Sequence, residues 1–122
     1  MKKRVESFGY AIRGLKMVFG REPNMNIHLS ISLLVVCAGI LLDISLNEWI
    51  SCLICFGLVI GMELMNSALE TVVDLASPDI HPLAAKAKDV AAGAVLFCAL
   101  IAATVGGLIF IPKIFILLFC QD

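Results

Sequence analysis

The chain has 122 residues, of which 61% are hydrophobic, and its mean hydropathy is +1.01. Soluble domains average about 45–50% apolar residues, so the excess indicates that apolar surface faces lipid as well as a protein core. The formal net charge of -1 gives no reason to expect nucleic acid as a partner. We therefore predict one integral membrane domain of the all-α class over residues 1–122.

The cysteines suggest neither disulfides nor a metal site. All five lie in apolar segments, where a free cysteine behaves as a small hydrophobic residue: Cys37, Cys52, Cys55, Cys98 and Cys120. Two of them form a C-x-x-C motif, but no second pair and no nearby histidine completes a zinc set. We expect these thiols to be structural.

Residues 3–20 are predicted to form an amphipathic helix. Apolar side chains recur at helical spacing from Val5 to Phe19, and basic residues supply the other surface. Such a helix suits the membrane interface, where cations meet anionic headgroups. The first 21 residues contain six basic residues but no long apolar run, so they do not resemble a secretory signal peptide. Pro23 is predicted to end this helix.

Three further segments are predicted to cross the membrane: residues 27–42, 48–75 and 83–111. The last contains 22 consecutive uncharged residues from Val90 to Ile111, and a span needs about 20. Pro112 is predicted to close it, leaving a short apolar tail over residues 114–120. Six basic residues precede the first span and two lie in the 76–89 loop. Because cytoplasmic segments carry such an excess, we expect both at the cytoplasm.

The middle span carries an unusual polar stripe of Glu63, Asn66, Glu70 and Asp74. At 100° per residue these four positions share a helix face less than about 90° wide. A carboxylate within the bilayer costs on the order of 2.5–3.5 kcal/mol, and such residues are usually functional. Three carboxylates on one face repel one another and favour a cation between them. Ligands that are all oxygen suit Mg²⁺.

Two functions fit this stripe on chemical grounds. One is a cation- or proton-coupled transporter in which Glu63 is the exchange site. The other is an enzyme that transfers phosphate to a lipid, with Glu63 as base and Glu70 as metal ligand. The stripe reaches the surface beside Lys88-Asp89, and this favours phosphoryl transfer. No P-loop, H-R-D or D-F-G motif is present, so neither common kinase class is indicated.

The same residues resemble the signature of a known family. The matching stretches are Glu63-Leu-Met-Asn66-Ser67-Ala-Leu-Glu70-Thr-Val-Val-Asp74-Leu, His81-Pro-Leu-Ala and Ala87-Lys88-Asp89-Val-Ala-Ala-Gly-Ala-Val. They are similar to the small prokaryotic diacylglycerol kinases, which include the undecaprenol kinases. The resemblance covers nearly the whole chain, from the Tyr10-to-Gly14 region to the third span.

The resemblance implies a homotrimer of three-span protomers in the bacterial cytoplasmic (inner) membrane, with the N-terminus and active site at the cytoplasm. It implies that MgATP phosphorylates a lipid alcohol, either undecaprenol or diacylglycerol. By motif position, Glu63 is the expected catalytic base, and Glu22 and Glu70 are the expected metal ligands. Asn66 and Asp74 are expected to support the site. The expected ATP-binding positions are Tyr10, Glu22, Glu70, Asp79, Ile80, His81, Lys88 and Asp89. For His81, capping of a turn remains an open alternative.

Two departures from the family pattern bear on the lipid. His28 stands where the best-known diacylglycerol kinases carry an acid, and Ala92 stands where they carry a serine. These and the neighbouring stretches look closer to the undecaprenol kinase branch. Three helices cannot enclose both a nucleotide and a lipid chain, so we expect a site shared between protomers. The lipid hydroxyl is expected to enter from the bilayer, beneath the amphipathic helix.

Overall fold

The computed structural model describes residues 2–119, and this part of the chain is helical. The four helices are α1 (Lys2–Val18), α2 (Pro23–Leu41), α3 (Leu46–Ala76) and α4 (Pro82–Phe119). Helices α2, α3 and α4 are long and apolar enough to cross a membrane. In the most apolar stretch of α4 only 6% of the residues are buried, so apolar side chains point outward, as contact with lipid requires. The predicted all-α, three-span architecture is confirmed.

The junction between α1 and α2 differs from the prediction. Helix α1 ends at Val18, and Gly20 adopts a φ of 76°, a left-handed conformation that favours glycine. Pro23 does not break a helix here but begins α2, because its missing N–H costs nothing in the first turn. Glu22 is therefore not the end of the amphipathic helix. It is the N-cap residue of α2, in extended conformation.

A tight turn joins α2 to α3 at the opposite end of the molecule from Glu22. Ser45 and Glu48 form a capping box: the Ser45 N–H donates to the Glu48 carboxylate at 2.6 Å, and the Glu48 N–H donates to the Ser45 hydroxyl. Gly39 lies against the ring of Trp49, where a Cβ atom would come within 2.7 Å of the ring carbon Cη2. A larger residue would force the two helices apart at this end.

Helix α4 does not end where the third span was predicted to close. Helix α4 continues through Pro112 to Phe119, although proline removes one intrahelical hydrogen bond. Free backbone groups are costly in apolar surroundings, so the remaining bonds favour continuation of the helix. The Lys113 ammonium group pairs with the Glu48 carboxylate on α3 at 3.3 Å, which ties this part of α4 to its neighbour.

Packing places the predicted polar stripe where three helices meet. Helix α3 contacts α4 most extensively and also contacts α1 and α2. Near the start of α2 the side chain of Met25 is fully buried, and at the other end Ile44, Cys52 and Ile109 form a small apolar cluster. Cys37, Cys52, Cys55 and Cys98 are free thiols, whereas Cys120 lies outside the described residues.

Candidate active site

The polar stripe on α3 runs from a buried end to an exposed end. Glu63 has 2% of its surface exposed and Asn66 has 6%, whereas Glu70 and Asp74 are exposed. Buried carboxylates are rare because the charged form loses its hydration, so Glu63 needs polar neighbours. The increase in exposure from Glu63 to Asp74 agrees with the predicted direction of the stripe, from the buried interior to the surface.

The buried end of the stripe opens into a cavity of about 300 Å³ between the start of α2 and α3. We call it the carboxylate cleft, and its lining residues are Glu22, Pro23, Asn24, Glu63, Asn66 and Glu70. Three carboxylates therefore converge, although Glu22, the N-cap residue of α2, lies far before Glu63 in the chain. The structure brings together the residues predicted as base and as metal ligands.

Hydrogen bonds orient several groups around this cleft. The Ser67 hydroxyl contacts both the Glu22 carboxylate and the Glu63 carbonyl oxygen, the second at 3.1 Å. The Asn66 amide nitrogen donates to the Glu70 carboxylate at 3.2 Å. The Asn66 carbonyl oxygen is buried and has no partner. Because an unpaired buried acceptor costs about 1–3 kcal/mol, it suits a ligand that brings a donor.

The donor set of the cleft fits Mg²⁺ bound together with a phosphate substrate. Within the described residues, no three His, Cys, Asp or Glu side chains form a ready-made metal cage. Mg²⁺ usually takes only one or two protein carboxylates, and substrate phosphates and water complete its shell. Glu22 and Glu70 supply two such carboxylates in the same cleft.

A second cavity, of about 240 Å³, lies where α3 meets α4. We call it the Lys88 cavity, and the predicted residues that line it are Asp74, Asp79, Ile80, His81 and Lys88. The Lys88 ammonium group pairs with the Asp74 carboxylate at 2.5 Å. His81 accepts a hydrogen bond from the Leu83 N–H through Nδ1 at 3.1 Å, which is the turn-capping role left open by the sequence.

Two predicted ATP-binding residues lie outside these cavities. Tyr10 is exposed on α1, and its ring centroid lies 4.6 Å from the Arg13 guanidinium carbon, a cation–π contact. Asp89 is exposed on α4. Neither residue lines the carboxylate cleft or the Lys88 cavity. Their predicted role is therefore not supported by proximity within one protomer.

A third cavity, of about 210 Å³, lies on the other side of Glu63. We call it the His28 cavity, and it is lined by Asn24, His28, Glu63, Asn66, Ala92, Val95, Leu96 and Ala99. The two residues that depart from the family pattern, His28 and Ala92, thus face the same space as Glu63. His28 and Ala99 also line a neighbouring cavity of about 200 Å³, whose walls are mostly apolar and include Val35, Phe56 and Val59.

The space beneath the amphipathic helix does not reach Glu63. A cavity of about 410 Å³ between α1 and α3 is lined by Glu22 and Ser67 but not by Glu63. The space beneath α1 therefore gives no direct access to Glu63 within one protomer. Asn24 was missed as a site residue because Pro23 was interpreted as a break. A helix beginning at Pro23 would have placed Asn24 one turn before His28, on the same face.

Comparisons with known proteins agree on one family. Residues 9–110 match the family described as prokaryotic diacylglycerol kinase. An undecaprenol kinase from Bacillus subtilis (strain 168) is 39% identical over 109 residues, which cover 89% of each chain. A diacylglycerol kinase from Synechocystis sp. is also 39% identical, over 88% of this chain and 62% of the relative. A diacylglycerol kinase from Escherichia coli (strain K12) is 30% identical over 80% of each.

These relatives give no support to the transporter alternative, since each is named as a kinase. The match spans α2 and α3 completely and most of α1 and α4. With its three apolar helices and its converging carboxylates, the chain belongs to the prokaryotic diacylglycerol kinase family, whose members are multi-pass membrane lipid kinases.

Proposed function

We propose that this lipid kinase transfers the γ-phosphate of ATP to the hydroxyl group of a polyprenol, with undecaprenol as the expected acceptor and Glu63 as the catalytic base. One observation supports this most strongly. Glu63 lines two cavities at once: the carboxylate cleft, with two further acids, and the His28 cavity, which shares the lining residues His28 and Ala99 with a largely apolar cavity. A base for lipid phosphorylation needs access to both substrates.

Glu63 would accept the proton of the lipid hydroxyl as that oxygen attacks the γ-phosphorus atom. The bond between the γ-phosphorus and the β,γ-bridging oxygen breaks, and ADP leaves. Asn66 is placed to receive a hydrogen bond, since its carbonyl oxygen is buried without a partner. Most of the catalysis in phosphoryl transfer comes from positioning and electrostatics, so a buried and oriented carboxylate suits this role.

Glu22 and Glu70 are the residues that would hold Mg²⁺, which when bound neutralises charge on the ATP phosphates. Lys88 would offset negative charge on the transferred group, and its ion pair with Asp74 fixes its direction. Glu70 and Asp74 are about 6 Å apart along the helix axis, so phosphates in the carboxylate cleft can lie near Lys88. Tyr10, Asp79, Ile80, His81 and Asp89 remain proposed nucleotide contacts.

The walls of the His28 cavity favour a polyprenol over diacylglycerol. Apart from the polar groups around Glu63, its lining consists of Ala92, Val95, Leu96 and Ala99. Diacylglycerol carries two ester carbonyl groups close to its hydroxyl, and these acceptors would lack donors along α4. An unpaired buried acceptor costs about 1–3 kcal/mol. A polyprenol presents only hydrocarbon beyond its hydroxyl group.

The membrane setting of this function is also proposed. The excess of basic residues in α1 and in the loop before α4 supports a cytoplasmic N-terminus and active site in the bacterial inner membrane. Both sides of the site are open in a single protomer, since Glu70, Asp74 and Asp89 are exposed. This exposure supports a homotrimer in which neighbouring protomers complete each site.

The acceptor can be tested with the purified protein in detergent micelles. Undecaprenol and dioleoylglycerol are offered separately with γ-labelled ATP and Mg²⁺, and the labelled lipids are quantified. We expect undecaprenyl phosphate to form with the larger kcat/KM. Phosphatidic acid as the main product would show that the acceptor is wrong while the kinase assignment stands. Movement of cations into liposomes without consumption of ATP would contradict the kinase function itself.

A further inference from the structure

Asn24 occupies a position that neither the sequence motifs nor the family resemblance assigns to any role. It is the second residue of α2. Three residues line both the carboxylate cleft and the His28 cavity: Asn24, Glu63 and Asn66. Two of these belong to the predicted stripe on α3. Asn24 is the member that comes from a different helix, and it faces the stripe across the site.

The geometry points to Asn24 as a positioning residue that holds the Glu63 carboxylate between the two cavities, and this inference rests on the proposed role of Glu63 as base. Glu63 is almost completely buried, so water cannot orient its charged group. A base must keep one oxygen free for the substrate proton. A donor on its other oxygen would fix the carboxylate without blocking it.

Among the amide and hydroxyl groups beside Glu63, Asn24 is best suited to supply that donor. Asn24 lines both of the cavities that Glu63 lines, and its side-chain amide carries two N–H donors. The Asn66 amide nitrogen donates to Glu70, and its oxygen is an acceptor that cannot pair with a carboxylate. The Ser67 hydroxyl contacts the Glu22 carboxylate and the backbone of Glu63 rather than its side chain.

The backbone around Asn24 is well fixed, as a positioning role requires. Pro23 locks φ at the first position of α2. The next side chain, Met25, is fully buried and anchors this turn in the protein. Glu22 accepts the Asn26 N–H through its carbonyl oxygen at 3.1 Å, and its carboxylate is bound by Ser67. Asn24 is therefore held in place independently of its own side chain.

Asn26 provides a matched control in the same helical turn. It is the same residue type and is exposed, as Asn24 is, but it lines neither cavity next to Glu63. If both asparagines only occupy the first turn of α2, their replacement by alanine should have the same small effect at each position. A positioning role predicts that only Asn24 is sensitive.

The experiment measures kcat and KM for both substrates in Asn24→Ala, Asn24→Asp and Asn26→Ala. A hydrogen bond to a charged group corresponds to roughly a 10- to 100-fold effect. We expect Asn24→Ala to lower kcat by about that factor, with KM for ATP changed less than about threefold. Asn24→Asp keeps the shape of the side chain but removes its N–H donors, so its kcat should be no higher than that of Asn24→Ala. Asn26→Ala should behave as the wild type. Wild-type kcat in Asn24→Ala would overturn the inference.

A double-mutant cycle separates positioning from a structural role. If Asn24 acts through Glu63, adding Asn24→Ala to Glu63→Gln should lower the residual rate by less than about twofold, because the group to be positioned is already lost. If Asn24→Ala lowers kcat as much in the Glu63→Gln background as in the wild type, Asn24 does not act through Glu63, and the inference would be overturned. Near-normal activity of Glu63→Gln alone would instead overturn the proposed base, and the role of Asn24 with it.

Discussion

The Ser67 hydroxyl on α3 donates to the carboxylate of Glu22, the N-cap residue of α2. This contact joins two segments that are 45 residues apart in the chain and places a carboxylate from one helix beside the polar face of another. It also leaves the second Glu22 oxygen available to a ligand. The carboxylate cleft depends on this contact, because Glu22 is the one acid in it that does not lie on α3.

Ser67→Ala should lower kcat on the order of tenfold and raise the Mg²⁺ concentration needed for half-maximal rate. The reason is that the hydrogen bond to a charged group is lost and Glu22 is no longer oriented. Initial rates over a Mg²⁺ series measure both effects. Thr71→Ala is the matched control, since the Thr71 hydroxyl bonds only to a carbonyl of its own helix, at 2.9 Å. Equal losses in both variants would contradict a specific role for Ser67.

Glu63→Gln should reduce kcat by about 10²–10⁴-fold, the usual cost of losing a general base. The amide has nearly the same shape as the carboxylate, so the assembly state and ATP binding should persist. Turnover with labelled ATP and nucleotide binding by the same preparation provide the measurements. Activity within about threefold of the wild type would remove Glu63 from the role of base.

Glu70→Ala should raise the Mg²⁺ requirement steeply while leaving the fold intact. Glu70 is exposed and one of the two proposed metal ligands, so its loss costs little packing but removes half of the protein donors. The measurement is the rate as a function of free Mg²⁺ at saturating ATP. An unchanged Mg²⁺ dependence would exclude Glu70 from the metal site.

Lys88→Met should raise KM for ATP or lower kcat without a large change in melting temperature. The ion pair with Asp74 is partly exposed, and such pairs contribute about 0–1 kcal/mol to stability. Lys86→Met is the control, because Lys86 is exposed nearby and does not line the Lys88 cavity. If both variants behave alike, the effect comes from general surface charge.

Gly39→Ala should destabilise the protein by about 1–3 kcal/mol, because the new methyl group would overlap the Trp49 ring. Gly57→Ala, where an added Cβ atom would meet no side chain and no other helix within 4 Å, should be neutral or slightly stabilising. Thermal unfolding in one detergent compares the two variants. Neither position lines the carboxylate cleft or the His28 cavity, so kcat at low temperature should be unaffected. Equal stability of the two variants would contradict the close approach of Gly39 and Trp49.

Most of the helical architecture could be predicted from the sequence, because long uncharged segments have few alternatives to spanning a bilayer. The departures from the prediction occur at two of the four prolines. Pro23 begins a helix and Pro112 lies inside one. Proline alone does not say whether the residues around it remain helical. Whether the helix continues depends on the contacts of neighbouring residues. The ion pair between Lys113 on α4 and Glu48 on α3 is one such contact.

The sequence by itself determined that this is a membrane protein, that α3 carries a polar stripe, and which stripe residues are the more deeply buried. Each of these follows from hydropathy and from the 100° rotation per residue, which can be read within a single helix. Tertiary structure decided which distant groups join that stripe. It brought Glu22 and Asn24 to Glu63, placed His28 and Ala92 in the same cavity, and separated Tyr10 from the carboxylate cleft. These relationships depend on the packing of α2 and α4 against α3, which no periodicity within one helix specifies.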